Sequence, residues 1–356
     1  MTAHARTYLI VALAAVGAAA LVVGTVAFTR TSTPSATAQT QTTATPSGRA
    51  PALVLDLGVR TDPEAVALRR ANQLYSSGKR AAAARIFARY RSLPAQVGAA
   101  LAGWPSGTVT RLQRLADNHP TSALVLLHLG LAEVASGQTQ AARAAWRQAL
   151  ARDPNVQAAV FAESLLYPGF APGRPPFVPS FAVPASIGRL SSPQQLAALE
   201  RGSRDGGFRG KLLYGSALQR LGRPVSAERQ FAAAARLAPN DAEAQVAAAV
   251  GLFSKAKPAP AFSRLGPLAP RFPRSQSVRF HLGELLLWIG QLNKAGQELR
   301  LAYGEGKTTL LGRTSRQFLA ELQAKSGRRR SPILNPHKAL ACDADQKAVA
   351  ACRRGR

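Results

Sequence analysis

The stretch Gly304-Glu305-Gly306-Lys307-Thr308-Thr309 is where this chain comes nearest to a phosphate-binding loop, since glycines followed by Lys-Thr can cradle phosphate oxygens. Leu301 stands where the first glycine of such a loop belongs, and the preceding residues have helical rather than strand spacing. A glycine-rich helix end is the ordinary reading, and no nucleotide is expected. Cys342 and Cys352 have only His337 near them, a spacing that matches no zinc pattern. A lone cysteine pair in an exported chain reads as a possible disulfide, with two free thiols as the alternative. On one straight helix the two would lie about 15 Å apart, so a bridge needs a turn between them. Only 18 acidic residues and five separated histidines are present. They form no metalloprotease helix motif, nucleophile elbow or carboxylate pair at catalytic spacing. No catalytic residue, metal site or cofactor is expected, and an enzyme reading is set aside.

The remaining chemistry is charge. The 356 residues carry a formal net charge of +28, mostly from arginine. Such a balance attracts anionic polymer, acidic lipid or nucleic acid, although arginine spread along an alanine-rich chain also fits a compositional bias. Two regions stand out. No acidic residue falls between Glu64 and Asp117, while Arg69, Arg70, Lys79, Arg80, Arg85, Arg89, Arg91, Arg111 and Arg114 do. The C-terminal tail carries Arg328, Arg329, Arg330, Arg353, Arg354 and Arg356.

Tyr8 to Phe28 is an uncharged apolar run that spans about 31 Å as a helix, enough for a bilayer core. It predicts an uncleaved signal-anchor; the alternative cleavage pattern Ala36-Thr37-Ala38 lies well past the apolar run. Arg6 and Arg30 flank it almost symmetrically, and His4 with the amino terminus tips the N-terminus inward. The domain is then expected on the extracytoplasmic side of the cell membrane. Residues 29–61, rich in Thr, Ser, Ala and Pro, are expected to be a flexible tether.

From residue 62 onward the chain repeats. Pro120 and Pro154 are 34 residues apart, as are Pro239 and Pro273, and Gly215, Ala249 and Gly283 keep the same interval. Residues 123–156 read as Leu126, Leu129 and Gly130 on one helix, Gly137 at a turn, and Ala142, Trp146 and Ala149 on the next. Residues 208–241 read as Tyr214, Gly215 and Leu218, then Gly222, Ala227, Phe231, Ala234 and Pro239. Residues 242–275 and 276–309 stay in phase more loosely, the last with Lys307 where the closing proline belongs. This pattern resembles the tetratricopeptide repeat family, with its 34-residue helix-turn-helix, small residue in the first helix and closing proline. The expected fold class is all-α: an N-terminal transmembrane helix followed by a tetratricopeptide-like solenoid of helical hairpins. A hairpin cannot bury its apolar face alone, so neighbours must stack.

The phase breaks after residue 156. Six prolines, from Pro168 to Pro184, are interleaved with Phe170, Phe177 and Phe181, which forbids helix and favours extended chain. The segment is either a surface linker, or its phenylalanines pack into the solenoid's own groove or form a docking site. The expected layout is a tail at 1–7, the membrane helix at 8–28, the tether at 29–61 and a first block at 62–166. The Pro/Phe interruption at 167–191, a second block with its capping helix at 192–325 and a basic tail at 326–356 follow.

The resemblance also implies a ligand surface, because the first helix of each hairpin lines the concave face. The residues implied there are Leu127, Leu131, Arg209, Leu212, Arg220, Phe253, Phe280 and Trp288. A mostly apolar face with a few arginines suits a protein or extended peptide partner. A basic surface for an anionic envelope polymer, lipid or nucleic acid is the alternative. His128 and His281 lie on first helices and are expected to be structural.

Overall fold

Asp62, Ser122, Asp241 and Ser275 each open a helix by accepting a hydrogen bond from the backbone N–H three residues on, at 3.0, 3.4, 2.8 and 3.4 Å. Each of these caps fixes the start of a hairpin's first helix. The computed structural model describes residues 49–328, and the described secondary structure is helical. The first block pairs α1 (Pro63–Ser76) with α2 (Arg80–Phe87), α3 (Leu93–Ala102) with α4 (Thr108–Asn118), and α5 (Ala123–Ala135) with α6 (Thr139–Arg152). It ends on the unpaired first helix α7 (Gln157–Leu166). After the interruption and the single turn α8 (Ala185–Gly188) come α9 (Ser192–Asp205), α10 (Gly207–Arg220) and α11 (Pro224–Leu237). The chain continues through α12 (Ala242–Gly251), the short α13 (Ala259–Leu265) and α14 (Leu268–Arg271), α15 (Gln276–Trp288), α16 (Leu292–Glu305) and the capping helix α17 (Leu310–Arg328). Within each block every helix packs on the next, and alternate helices also meet, as in α5 with α7 and α10 with α12. That is the stacking of a solenoid.

The close packing inside hairpins has one recurring device. A Cβ built on Gly130 would lie 2.3 Å from the Trp146 ring, one on Gly215 2.4 Å from Phe231, and one on Gly283 2.8 Å from Leu299. The small residue on the first helix is therefore the seat of the large residue on the second. The hairpin turns at Gly78, Gly137, Gly222 and Gly290 all take φ between 69° and 81°, where a side chain is strained.

The broken phase between the blocks does not leave them apart. Glu163, fully buried at the end of α7, accepts from Arg174 Nε at 2.7 Å, Ser254 Oγ at 3.1 Å and the Lys255 backbone N–H at 2.9 Å. Lys255 is itself buried and donates from Nζ to Ser164 Oγ at 2.9 Å; burial pulls its pKa down to about 8. The Asn155 amide and Ser226 exchange two hydrogen bonds at 2.7 and 3.0 Å.

One expectation is corrected and one open alternative is decided. The C-terminal part of the 29–61 segment is not a flexible tether. Residues 50–57 form no helix or strand, and Leu53 and Leu57 are buried against the first block. The Pro/Phe segment is no solvated linker either, because Phe177 is only 2% exposed and belongs to the core of the second block. The expected span Tyr8–Phe28, the basic tail beyond Arg328, and Cys342 and Cys352 lie outside the described residues. Among the described residues no helix is long and apolar enough to cross a membrane.

Candidate functional site

His128 sits on α5, two residues before Gly130, and His281 sits on α15, two residues before Gly283. Both are fully buried. His128 Nδ1 lies 2.7 Å from the Leu124 carbonyl, and His281 Nδ1 lies 2.8 Å from the Ser277 carbonyl. A carbonyl only accepts, so Nδ1 must carry the proton and Nε2 must be bare. Each bare Nε2 accepts a backbone N–H from an extended part of the same chain: Val54 at 3.0 Å on His128, and Val178 at 2.9 Å on His281. Burial pushes both imidazoles down to about 4, so they are neutral acceptors at physiological pH.

The first groove holds the arm at residues 50–57. Tyr75 on α1 donates its hydroxyl to the Pro51 carbonyl at 2.5 Å, and burial raises that phenol to about 12. Arg223 at the start of α11 grips Asp56 with two bonds of 2.7 and 3.0 Å, which fastens the arm to the second block. Arg69 holds the Gly58 carbonyl at 3.1 Å where the chain turns into α1.

The second groove holds residues 171–181. The Phe177 N–H donates to Gln219 Oε1 on α10 at 2.8 Å. Ser180 bonds Glu243 on α12 through its N–H and, at 3.0 Å, its hydroxyl. The Phe177 ring stacks on His281 at 5.1 Å and meets Phe231 edge-on at 5.3 Å. Arg209 lies over Phe181 at 5.4 Å. The intervening Pro175, Pro176 and Pro179 have no N–H to leave stranded in this setting.

The residues implied by the resemblance fall into three sets. Leu127, Leu212, Phe253 and Phe280 are buried in the cores and present no side-chain surface to a partner. Leu131 and Trp288 are half-buried; the Trp288 carbonyl accepts from the Ala171 N–H at 3.4 Å. Arg209 and Arg220 are exposed, the first against the Phe181 ring and the second lining a cavity beside the arm. Sequence reasoning assigns His128 and His281 a structural role, with which their burial and their bonds to the chain's own backbone agree, but it does not name the segments they hold. The shared His-Leu-Gly triplet at 128–130 and 281–283 is the available signal. Near Gly304–Thr309 the chain leaves a helix and enters α17, with Thr309 Oγ1 capping the Gly312 N–H at 3.0 Å. Among the described residues no three metal-ligating side chains cluster.

These hairpins, with a small residue seating a large one, a glycine turn and a 34-residue phase, form a tetratricopeptide-like helical-hairpin solenoid. Among solved structures, the chain is similar to a tetratricopeptide repeat protein from Parabacteroides merdae at 13% identity and TM-score 0.32, over 73% of this chain and 98% of that one. It is similar to YrrB, a TPR protein with an unusual peptide-binding site, at 16% identity and TM-score 0.29, over 58% and 97%. It is similar to yeast Tom70 at 13% identity and TM-score 0.33, over 76% of this chain and 51% of that one. No family model and no curated protein matches. Likenesses this loose add nothing to the chain's own repeat geometry, on which the fold assignment rests.

Proposed function

We propose that this chain is a non-catalytic scaffold whose concave face binds an extended segment of a partner protein at the cell envelope. One observation carries the reading. Two non-helical segments of the chain already pack on first helices of the hairpins, each through a backbone N–H captured by a buried neutral histidine. Backbone capture with pockets for selected side chains is the general logic of extended-peptide recognition. The Tyr8–Phe28 run would tether the scaffold as a single-pass anchor, with the repeat domain on the extracytoplasmic side.

The scaffold reading is tested by selecting ten-residue peptides from an unbiased display library on the full chain in detergent micelles. Enrichment of extended sequences that compete with one another supports it. No enrichment, with helical circular dichroism retained, overturns it. The placement is tested by thiol labelling of Cys342 and Cys352 in intact cells. Labelling that needs permeabilisation, with no disulfide present, removes the extracytoplasmic assignment.

A second reading, a basic surface for an anionic polymer or lipid, is favoured by one feature of the structure. Arg70, Lys79, Arg85, Arg89, Arg91 and Arg114 of the acid-free stretch are all exposed. Binding to anionic vesicles that is unchanged between low and high salt would rule it out.

A further inference from the structure

The two segments seated in the grooves share a pattern. Pro51-Ala52-Leu53-Val54-Leu55-Asp56-Leu57 aligns residue for residue with Pro175-Pro176-Phe177-Val178-Pro179-Ser180-Phe181. Proline opens each, a large apolar residue precedes the valine, a polar residue follows two places on, and a second apolar residue closes. Two of the structural roles match. The valine N–H meets the histidine, and the apolar residue before it is buried, Leu53 at 8% and Phe177 at 2% exposure. The polar residues differ in kind: Asp56 accepts from the Arg223 guanidinium, whereas Ser180 donates to the Glu243 carboxylate. Segment and histidine are 74 residues apart in one case and 103 in the other, so the match does not travel with a fixed frame. What the two grooves have in common is what they read.

The first groove is also incompletely filled. A cavity of about 240 Å³ lies beside Leu55 and Leu57, walled by Arg69, Asn72, Gln157 and Arg220. Asn72 Oδ1 is buried without a hydrogen-bond partner. Where the second segment has Phe181, the arm has only Leu57, and the space beside it is open.

Resting on the scaffold reading, we propose that the His128 groove is a receptor for a partner protein's extended segment of the form Pro-x-(Leu/Phe)-Val-x-Asp-Phe, and that the arm at 50–57 is a resident occupant which that segment displaces. His128 supplies the backbone hook, Arg223 selects the acid, and the cavity takes the phenylalanine. The acid suits a chain whose net charge is +28. Covalent attachment gives the arm an effective concentration in the mM range, so a partner must outcompete it or meet it already loosened.

The test uses the full chain in detergent micelles and a fluorescein-labelled peptide, Pro-Ala-Leu-Val-Leu-Asp-Phe. The variant Leu53→Asp/Leu57→Asp weakens the arm and leaves every hairpin residue in place. It should bind the peptide at least tenfold more tightly than wild type. N-methylation of the peptide valine, Asp to Asn in the peptide, or His128→Phe in the variant should each cut that affinity tenfold or more. Equal affinity of wild type and variant, or indifference to N-methylation, overturns the proposal. Should the variant fail to fold, wild type gives the answer by hydrogen exchange. Val54 amide exchange, slow in the free chain, should speed up when the peptide saturates the groove, and unchanged protection overturns the proposal. If the display library yields peptides of another pattern while these results are negative, the scaffold reading stands and only the pattern and displacement fall.

Discussion

Truncating Phe177 separates a structural strap from a passive linker. The ring is 2% exposed, stacks on His281 and meets Phe231 edge-on. Burying a phenylalanine and losing it to alanine costs about 3–5 kcal/mol in a core, of which each ring pair supplies about 0.5–1.5. The groove lies near the surface and water can enter the vacated space, so the lower figure, about 3 kcal/mol, is the working value for Phe177→Ala. Phe181→Ala makes the internal control. That ring is half-buried under an exposed Arg209, and its loss should cost about 1 kcal/mol. The assay is native-state hydrogen exchange at the Val178 amide, which reports opening of the strap itself, beside urea unfolding followed by circular dichroism. A loss of about 3 kcal/mol in local stability speeds Val178 exchange by about 100-fold. A change below about threefold for Phe177→Ala, the size expected of a surface substitution, would refute the strap. So would an effect of Phe181→Ala that exceeds that of Phe177→Ala.

Three further outcomes follow from the packing and the titrating groups. Gly215→Ala should lower the melting temperature although alanine favours helix by about 1 kcal/mol, because the new Cβ would stand 2.4 Å from the Phe231 ring. A higher melting temperature would mean the ring yields freely. His128 and His281 have folded pKa values near 4, against about 6.5 unfolded, so the unfolded chain binds more protons between these values. Their contribution is fully present above about pH 6.5 and is lost as pH falls to about 4, on the order of 2–3 kcal/mol each at pH 4.5. Urea midpoints at pH 7 and 4.5 should therefore differ less in His281→Phe than in wild type, and an equal difference would refute the assignment. Glu133 has the opposite sign: burial raises it to about 7, and its Oε2 has no partner. Glu133→Gln should stabilise the chain at pH 8 by on the order of 2 kcal/mol and change little at pH 4, as thermal melts at the two pH values will show.

Much of the fold is legible in the residues alone, for a local reason. Gly130 and Trp146, or Gly215 and Phe231, are 16 residues apart within one hairpin, and each hairpin repeats the arrangement at a fixed interval. Contacts this short in sequence leave a periodic trace. The arm at 50–57 leaves none. Its neighbours upstream are Thr, Ser, Ala and Pro, so Leu53 and Leu57 read as the end of a polar tether. The Pro/Phe segment announces only that it cannot be helix. Its alternatives, linker or groove occupant, differ in contacts to Gln219, Glu243 and His281 that lie 42, 63 and 103 residues away.

The sequence by itself determined the hairpins, because caps, turn glycines and small-large pairs act over a few residues and recur. Only the tertiary structure decided that the grooves are filled, and by what. The groups that fill them are largely backbone N–H donors, which every residue except proline carries and which therefore write no signature of their own. Two of the acceptors are histidines whose chemistry depends on burial and on a carbonyl one helical turn away. Neither condition exists until the helices have stacked.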